Sequence, residues 1–148
     1  MKKILALSCA LMSSGAALAG QVADNATIAW QETQCVAISR LDDSAMNGAA
    51  GDYLLERAKP RLKLYYNQLK ANAITKSEWG KIGGNLEASA NKARDADDFV
   101  YVVLADYAKK LQQMRREANY APDNLNAEFY YSMLWVNSSC DALIALDK

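Results

Sequence analysis

Apolar side chains along this chain recur at intervals of three and four rather than two, the period of helices buried along one face. Ile28, Cys35, Ile38 and Leu41 fall on one side of a first predicted helix, for which Asp24, Asn25 or Thr27 offers a cap. Beyond the polar loop LDDSAMNGAAGD, a second helical stretch carries Leu55, Ala58, Leu62, Tyr65 and Leu69 in the alternating three-and-four spacing of a packed seam. Pro60 lies inside it, and either kinks one helix or occupies the first turn of another.

A third helix opens on a capping box, Thr75 with Glu78, while Ile74 and Trp79 stand at the two positions of a hydrophobic staple. Trp79, Ile82, Leu86 and Ala90 continue its apolar face. Gly80, Gly83 and Gly84 each cost about 1 kcal/mol against alanine in a helix interior. Gly80, Gly84 and Ala88 are four apart and would leave a smooth groove for a close neighbour; the other reading is a break in the helix.

The stretch DADDFVYVVLADYAKKLQQMRRE holds FVYVV, a strand-like run in isolation. Its surroundings predict a helix: Val100, Val103, Tyr107, Leu111 and Met114 keep helical spacing, with Asp95, Asp97 and Asp98 at the start and Lys109, Lys110, Arg115 and Arg116 at the end. Acid first and base last complements the helix dipole. Phe99, Tyr101 and Val102 widen the apolar surface of this helix, so it is central or lies against a partner.

After the turn NYAPDN, with Asp123 or Asn124 as cap, the last helix places Leu125, Phe129, Met133, Val136, Cys140 and Leu143 on one stripe. That stripe is its expected core face. Tyr130, Tyr131, Leu134 and Trp135 lie off it, and either pack against a neighbouring helix or, with Tyr101, form a surface for a partner. The expected fold class is all-α, a single-domain antiparallel bundle of four to five helices joined by short connections.

The two ends refine this picture. MKKILALSCALMSSGAALAG has a basic start, a short apolar run and an A-x-A close, the pattern of a secretory signal peptide over residues 1–19 that leaves the helical domain as residues 20–148. The apolar run is well short of the roughly 20 residues a membrane span needs. Cys9 would leave with the signal, so Cys35 and Cys140 remain to pair in an oxidising compartment. A bond between them joins the first and last helices, and closing so long a loop restricts the unfolded chain by up to about 4 to 5 kcal/mol. The short bacterial style of the signal makes the expected address periplasmic or secreted.

Loss of Lys2 and Lys3 lowers the 17 basic side chains to 15 against 17 acidic ones, a net charge of −2. Such a balance gathers neither nucleic acid nor an anionic membrane. The basic run Arg57, Lys59, Arg61, Lys63, Lys70 and Lys76 on the second helix reads as a solvated face paired with its neighbours, or as a face for an acidic protein partner through Arg57, Arg61 and Lys63.

The chain has no histidine, which excludes Ser-His-Asp and Cys-His nucleophiles, His-ligated zinc and His-ligated haem. Carboxylate chemistry survives, but the glutamates have spacings ordinary for solvated faces. Asp95, Asp97 and Asp98 fail the calcium-loop pattern, because Phe99 and Val100 occupy its fifth and sixth positions; helix capping accounts for them. No cofactor or metal is expected. The residues therefore favour a non-catalytic exported protein that binds another protein, as an inhibitor or as an immunity protein against an envelope-acting toxin. An envelope chaperone holding unfolded clients and a small-molecule-binding bundle or weak carboxylate enzyme are the alternatives, and homodimerisation through the aromatic face stays open.

Overall fold

In the computed structural model, which describes residues 13–42, 47–74, 86–118 and 129–146, with side chains from residue 20 onward, all regular structure is helical. The helices are α1 (Ser13–Leu41), α2 (Gly48–Lys70), α3 (Leu86–Lys92), α4 (Ala96–Glu117), α5 (Tyr130–Asn137) and α6 (Cys140–Ala145). Six helices among the described residues exceed the four or five expected, and the difference is instructive at both ends of the chain.

Helix α1 runs straight through Asp24, Asn25 and Thr27, the residues expected to cap it. Its packed face begins earlier than the sequence pattern suggested, because Val22, Ala23, Ala26 and Ala29 are buried, and alanine contributes little to a hydrophobic stripe read by eye. The Thr27 hydroxyl donates back to the Ala23 carbonyl at 3.1 Å instead of capping. Further along, Val36, Ala37 and Ile38 are fully buried, so α1 is packed on more than one side. It contacts α2, α4, α5 and α6, and is the central element of the described fold.

Small residues set how near α2 comes. A Cβ added to Gly51 would lie 2.0 Å from Ser39 Oγ and 2.8 Å from Ser39 Cβ, so glycine is what lets the two helices cross here. The Ser39 hydroxyl is itself held, donating to the Val36 carbonyl at 2.8 Å. Pro60 sits on the exposed side of α2, which continues through it from Gly48 to Lys70; one helix, not two, spans the stretch. Leu55, Ala58, Leu62 and Tyr65 are buried as the seam predicts, joined by Leu54 and Tyr66.

On α4 the Asp95 carboxylate accepts the Asp98 backbone N–H at 2.8 Å, so the acid-rich start is a true N-cap. Val100, Val103 and Leu111 are buried as expected, whereas Met114 is exposed. Phe99 is fully buried between the rings of Tyr65 and Tyr66, at centroid distances of 6.1 and 5.3 Å, which locks α4 onto α2. Burial pushes the Tyr65 hydroxyl up to about 12. Leu86 and Ala90 of α3 are buried as predicted, and Ala88 is exposed. The expected capping box Thr75–Glu78, Trp79, Ile82, the three glycines at 80, 83 and 84, and the turn before α5 lie outside the described residues.

The last helix is two. Ser138 ends α5, Ser139 adopts a left-handed conformation (φ 54°), and α6 restarts at Cys140. That break moves the phase of everything before it. Cys140 enters the core as predicted, but Phe129, Met133 and Val136 point to solvent, while Tyr130, Tyr131 and Trp135 are buried in their place. The Cys35–Cys140 disulfide is present and buried, with a Cα–Cα distance of 5.7 Å, and ties α6 to the middle of α1. None of the helices among the described residues is long and apolar enough to cross a membrane.

Candidate functional site

The basic run on α2 is turned to internal use. Glu32 of α1 is fully buried and receives two guanidinium groups: Arg61 Nη1 donates to Oε1 at 2.8 Å and to Oε2 at 3.0 Å, and Arg57 Nη2 pairs with Oε1 at 3.0 Å. Arg57 also donates through Nη1 to the Leu143 carbonyl at 2.9 Å, so one side chain links α1, α2 and α6. Lys63 pairs with Asp97 of α4, and Lys59 with Glu56 at 2.6 Å. Arg57, Arg61 and Lys63 are thus engaged by carboxylates of their own chain rather than held out as a field for an acidic partner. Sequence reasoning found the basic residues and missed their acceptor, because nothing local marks Glu32 of α1 as the one buried glutamate.

The four aromatic residues expected to share a partner surface do not share a face. Tyr101 is 57% exposed on α4, but Tyr130, Tyr131 and Trp135 point inward. Tyr130 and Tyr131 meet edge to face at 5.2 Å, the Arg115 guanidinium lies 5.2 Å from the centre of the Tyr131 ring, and Trp135 Nε1 donates to Asp141 Oδ1 at 3.0 Å. What α5 shows to solvent instead is Phe129, Met133 and Val136, respectively 60%, 46% and 69% exposed at helical spacing. The signal that would have found this is the Asn137-Ser138-Ser139 run: three weak helix formers that end α5 and release its register from that of Cys140.

A cavity of about 430 Å³ opens between α1 and the α5–α6 turn. Trp30, Gln31 and Gln34 form one wall; Ser138, Ser139 and Leu143 are part of the other. Its neighbours fix it in place, since Cys35 and Cys140, the disulfide pair, directly follow Gln34 and Ser139. The Tyr107 hydroxyl of α4 donates to Gln34 Oε1 at 3.1 Å, and the Tyr107 ring meets Trp30 edge-on at 6.2 Å. Burial holds the Tyr107 hydroxyl above its ordinary pKa, with a smaller contribution from Tyr130. Gln34 Nε2 is buried and finds no hydrogen-bond acceptor among the described residues.

The carboxylates are accounted for by hydrogen bonds rather than gathered for chemistry. Asp97 and Asp98 are paired with Lys63 and Arg94, and Asp106 accepts from Ser89 at 2.9 Å and from Lys92 at 2.8 Å. Both Asp98 and Asp106 are held below the usual carboxylate range, chiefly by their hydrogen bonds to Arg94 and Lys92 respectively. Asp42 accepts from Ser132 at 3.2 Å and so fastens the end of α1 to α5. Among the described residues no group of three or more His, Cys, Asp or Glu side chains is placed to hold a metal ion.

What the fold and these sites define is a disulfide-tied, all-helical chain with a buried arginine clamp, one neutral cavity and one exposed apolar helix face. Comparison with protein-family models, with curated proteins and with solved structures finds no match for this chain.

Proposed function

We propose that this chain is an exported, non-catalytic helical protein whose work is to bind another protein, in the manner of an inhibitor or an immunity protein in the bacterial envelope. In this reading residues 1–19 are a leader removed on export, the mature chain lies in the periplasm or outside the cell, and its helices form an antiparallel bundle. The observation that carries it is the exposed row Phe129, Met133 and Val136 on α5, three large apolar side chains in register on one short helix with no charged residue between them. Contiguous apolar surface of this kind is the usual mark of a docking face. The disulfide supports the oxidising address, and the engaged carboxylates and the lack of histidine support a non-catalytic role.

The test uses the oxidised, leader-free chain as bait in envelope extract, beside Phe129→Ser and Val136→Asp variants. The reading expects one partner to be retained by the parent and lost by both variants, with melting temperatures within a few degrees of the parent, because these side chains bury little. Capture that ignores both substitutions, or an uncut chain kept inside the cell, overturns it.

A further inference from the structure

We infer that the cavity between α1 and the α5–α6 turn is a binding site for a small uncharged molecule with one apolar face and an acceptor oxygen, the chemistry of a neutral sugar ring. At about 430 Å³ the cavity lies within the range of sites that enclose small ligands, roughly 300 to 1,000 Å³. Its lining is specific in kind. Trp30 supplies an aromatic surface for C–H edges, Leu143 and Ala142 supply apolar wall, and Gln31, Gln34, Ser138 and Ser139 supply amides and hydroxyls, groups that both donate and accept.

No charged side chain lines the cavity, so an ionic ligand would give up water without a counter-charge. The orphaned Gln34 Nε2 adds an independent sign. The Tyr107 hydroxyl holds the other end of this amide through Oε1, which orients Nε2 as a donor that the chain itself leaves unanswered. A buried donor without a partner costs about 1 to 3 kcal/mol, and a ligand oxygen would answer it. The walls are prearranged as well. The disulfide fixes the residue after Gln34 to the residue after Ser139, and Arg57 holds the Leu143 carbonyl, so little ordering is left to be done on binding.

The experiment titrates the oxidised, leader-free chain with glucose and with N-acetylglucosamine, following the side-chain amide resonances of Gln34 and the indole resonance of Trp30 by NMR. Glucuronate, a sugar of similar size carrying a carboxylate, is the charged comparison. A saturable shift of the Gln34 amide with at least one neutral sugar, and weaker binding of glucuronate, is expected. The Gln34→Leu, Tyr107→Phe double variant removes both partners of the internal hydrogen bond together, so neither is stranded. It should keep its melting temperature and bind about tenfold more weakly, the loss of one hydrogen bond. Gln34 resonances that stay still with both neutral sugars, glucuronate binding as tight as theirs, or parental affinity in the folded double variant would each overturn the inference. So would loss of fold in the double variant together with unmoved Trp30 resonances in a Ser139→Gly variant and in the parent.

Discussion

Glu32 is the residue on which most depends. Its carboxylate is fully buried and answered by two guanidinium groups, one of which reaches on to the Leu143 carbonyl. Glu32→Leu would leave Arg57 and Arg61 without their acceptor, and the expected loss is about 3 to 5 kcal/mol in denaturant unfolding, the range for breaking one side of a buried pair. An unfolding midpoint equal to the parent's would show that the clamp contributes nothing. Tyr65 gives the pH signature. Its hydroxyl titrates near 10 in the unfolded chain and is pushed up to about 12 by burial in the fold. A raised folded value means that its contribution is fully present below pH 10 and is lost as pH rises from 10 through about 12. Tyr65→Phe should flatten the fall in stability over that window, read as the unfolding midpoint against pH; an unchanged slope assigns the alkaline loss elsewhere. Such residue-level chemistry was half legible. The sequence marked the basic residues and the aromatic ones, but which of them are satisfied within the chain depends on contacts 29 or more positions apart, as between Arg61 and Glu32.

At the scale of the helix, sequence period reported well wherever a helix keeps one phase from end to end. The seam of α2 and the cap and stripe of α4 match their spacing, and FVYVV is helical because the aspartate cap and the residues that follow outweigh its β-branched content. Phase was illegible across Ser138–Ser139, since a single left-handed residue rotates α5 against α6 without interrupting the apolar count. Two substitutions check the account. Gly51→Ala should destabilise by about 1 to 3 kcal/mol despite alanine's better helix propensity, because the new methyl meets the Ser39 side chain where α1 and α2 cross. A stabilising effect would mean that the crossing has slack. Pro60→Ala, on the exposed side of α2, should stabilise by about 1 to 2 kcal/mol: it restores an interior backbone donor and offsets this with a freer unfolded chain. Thermal unfolding of the two variants beside the parent reads both. Trp135→Ala belongs here as well. Buried and bonded to Asp141, Trp135 should cost about 3 to 5 kcal/mol on truncation, whereas a side chain reserved for a partner would leave the melting temperature unchanged.

For the molecule as a whole, α1 is the spine and the disulfide its clasp. Reduction should lower stability by about 2 to 5 kcal/mol, seen as a lower guanidinium midpoint with and without reductant. That pairing was readable from cysteine arithmetic alone, because once the leader is set aside only two cysteines are left. The number of helices was not, since it turns on a positive-φ residue near one end and on buried alanines near the other. The same arrangement dictates an order of assembly. A ribosome delivers α1 first and Cys140 almost last, yet α1 finds its covering in α2, α4, α5 and α6. The earliest helix to emerge must therefore wait, greasy side bare, until nearly the whole polypeptide has been made. A nascent chain stalled before residue 129 would remain open to proteases along α1, and only release of the final segment would shut it.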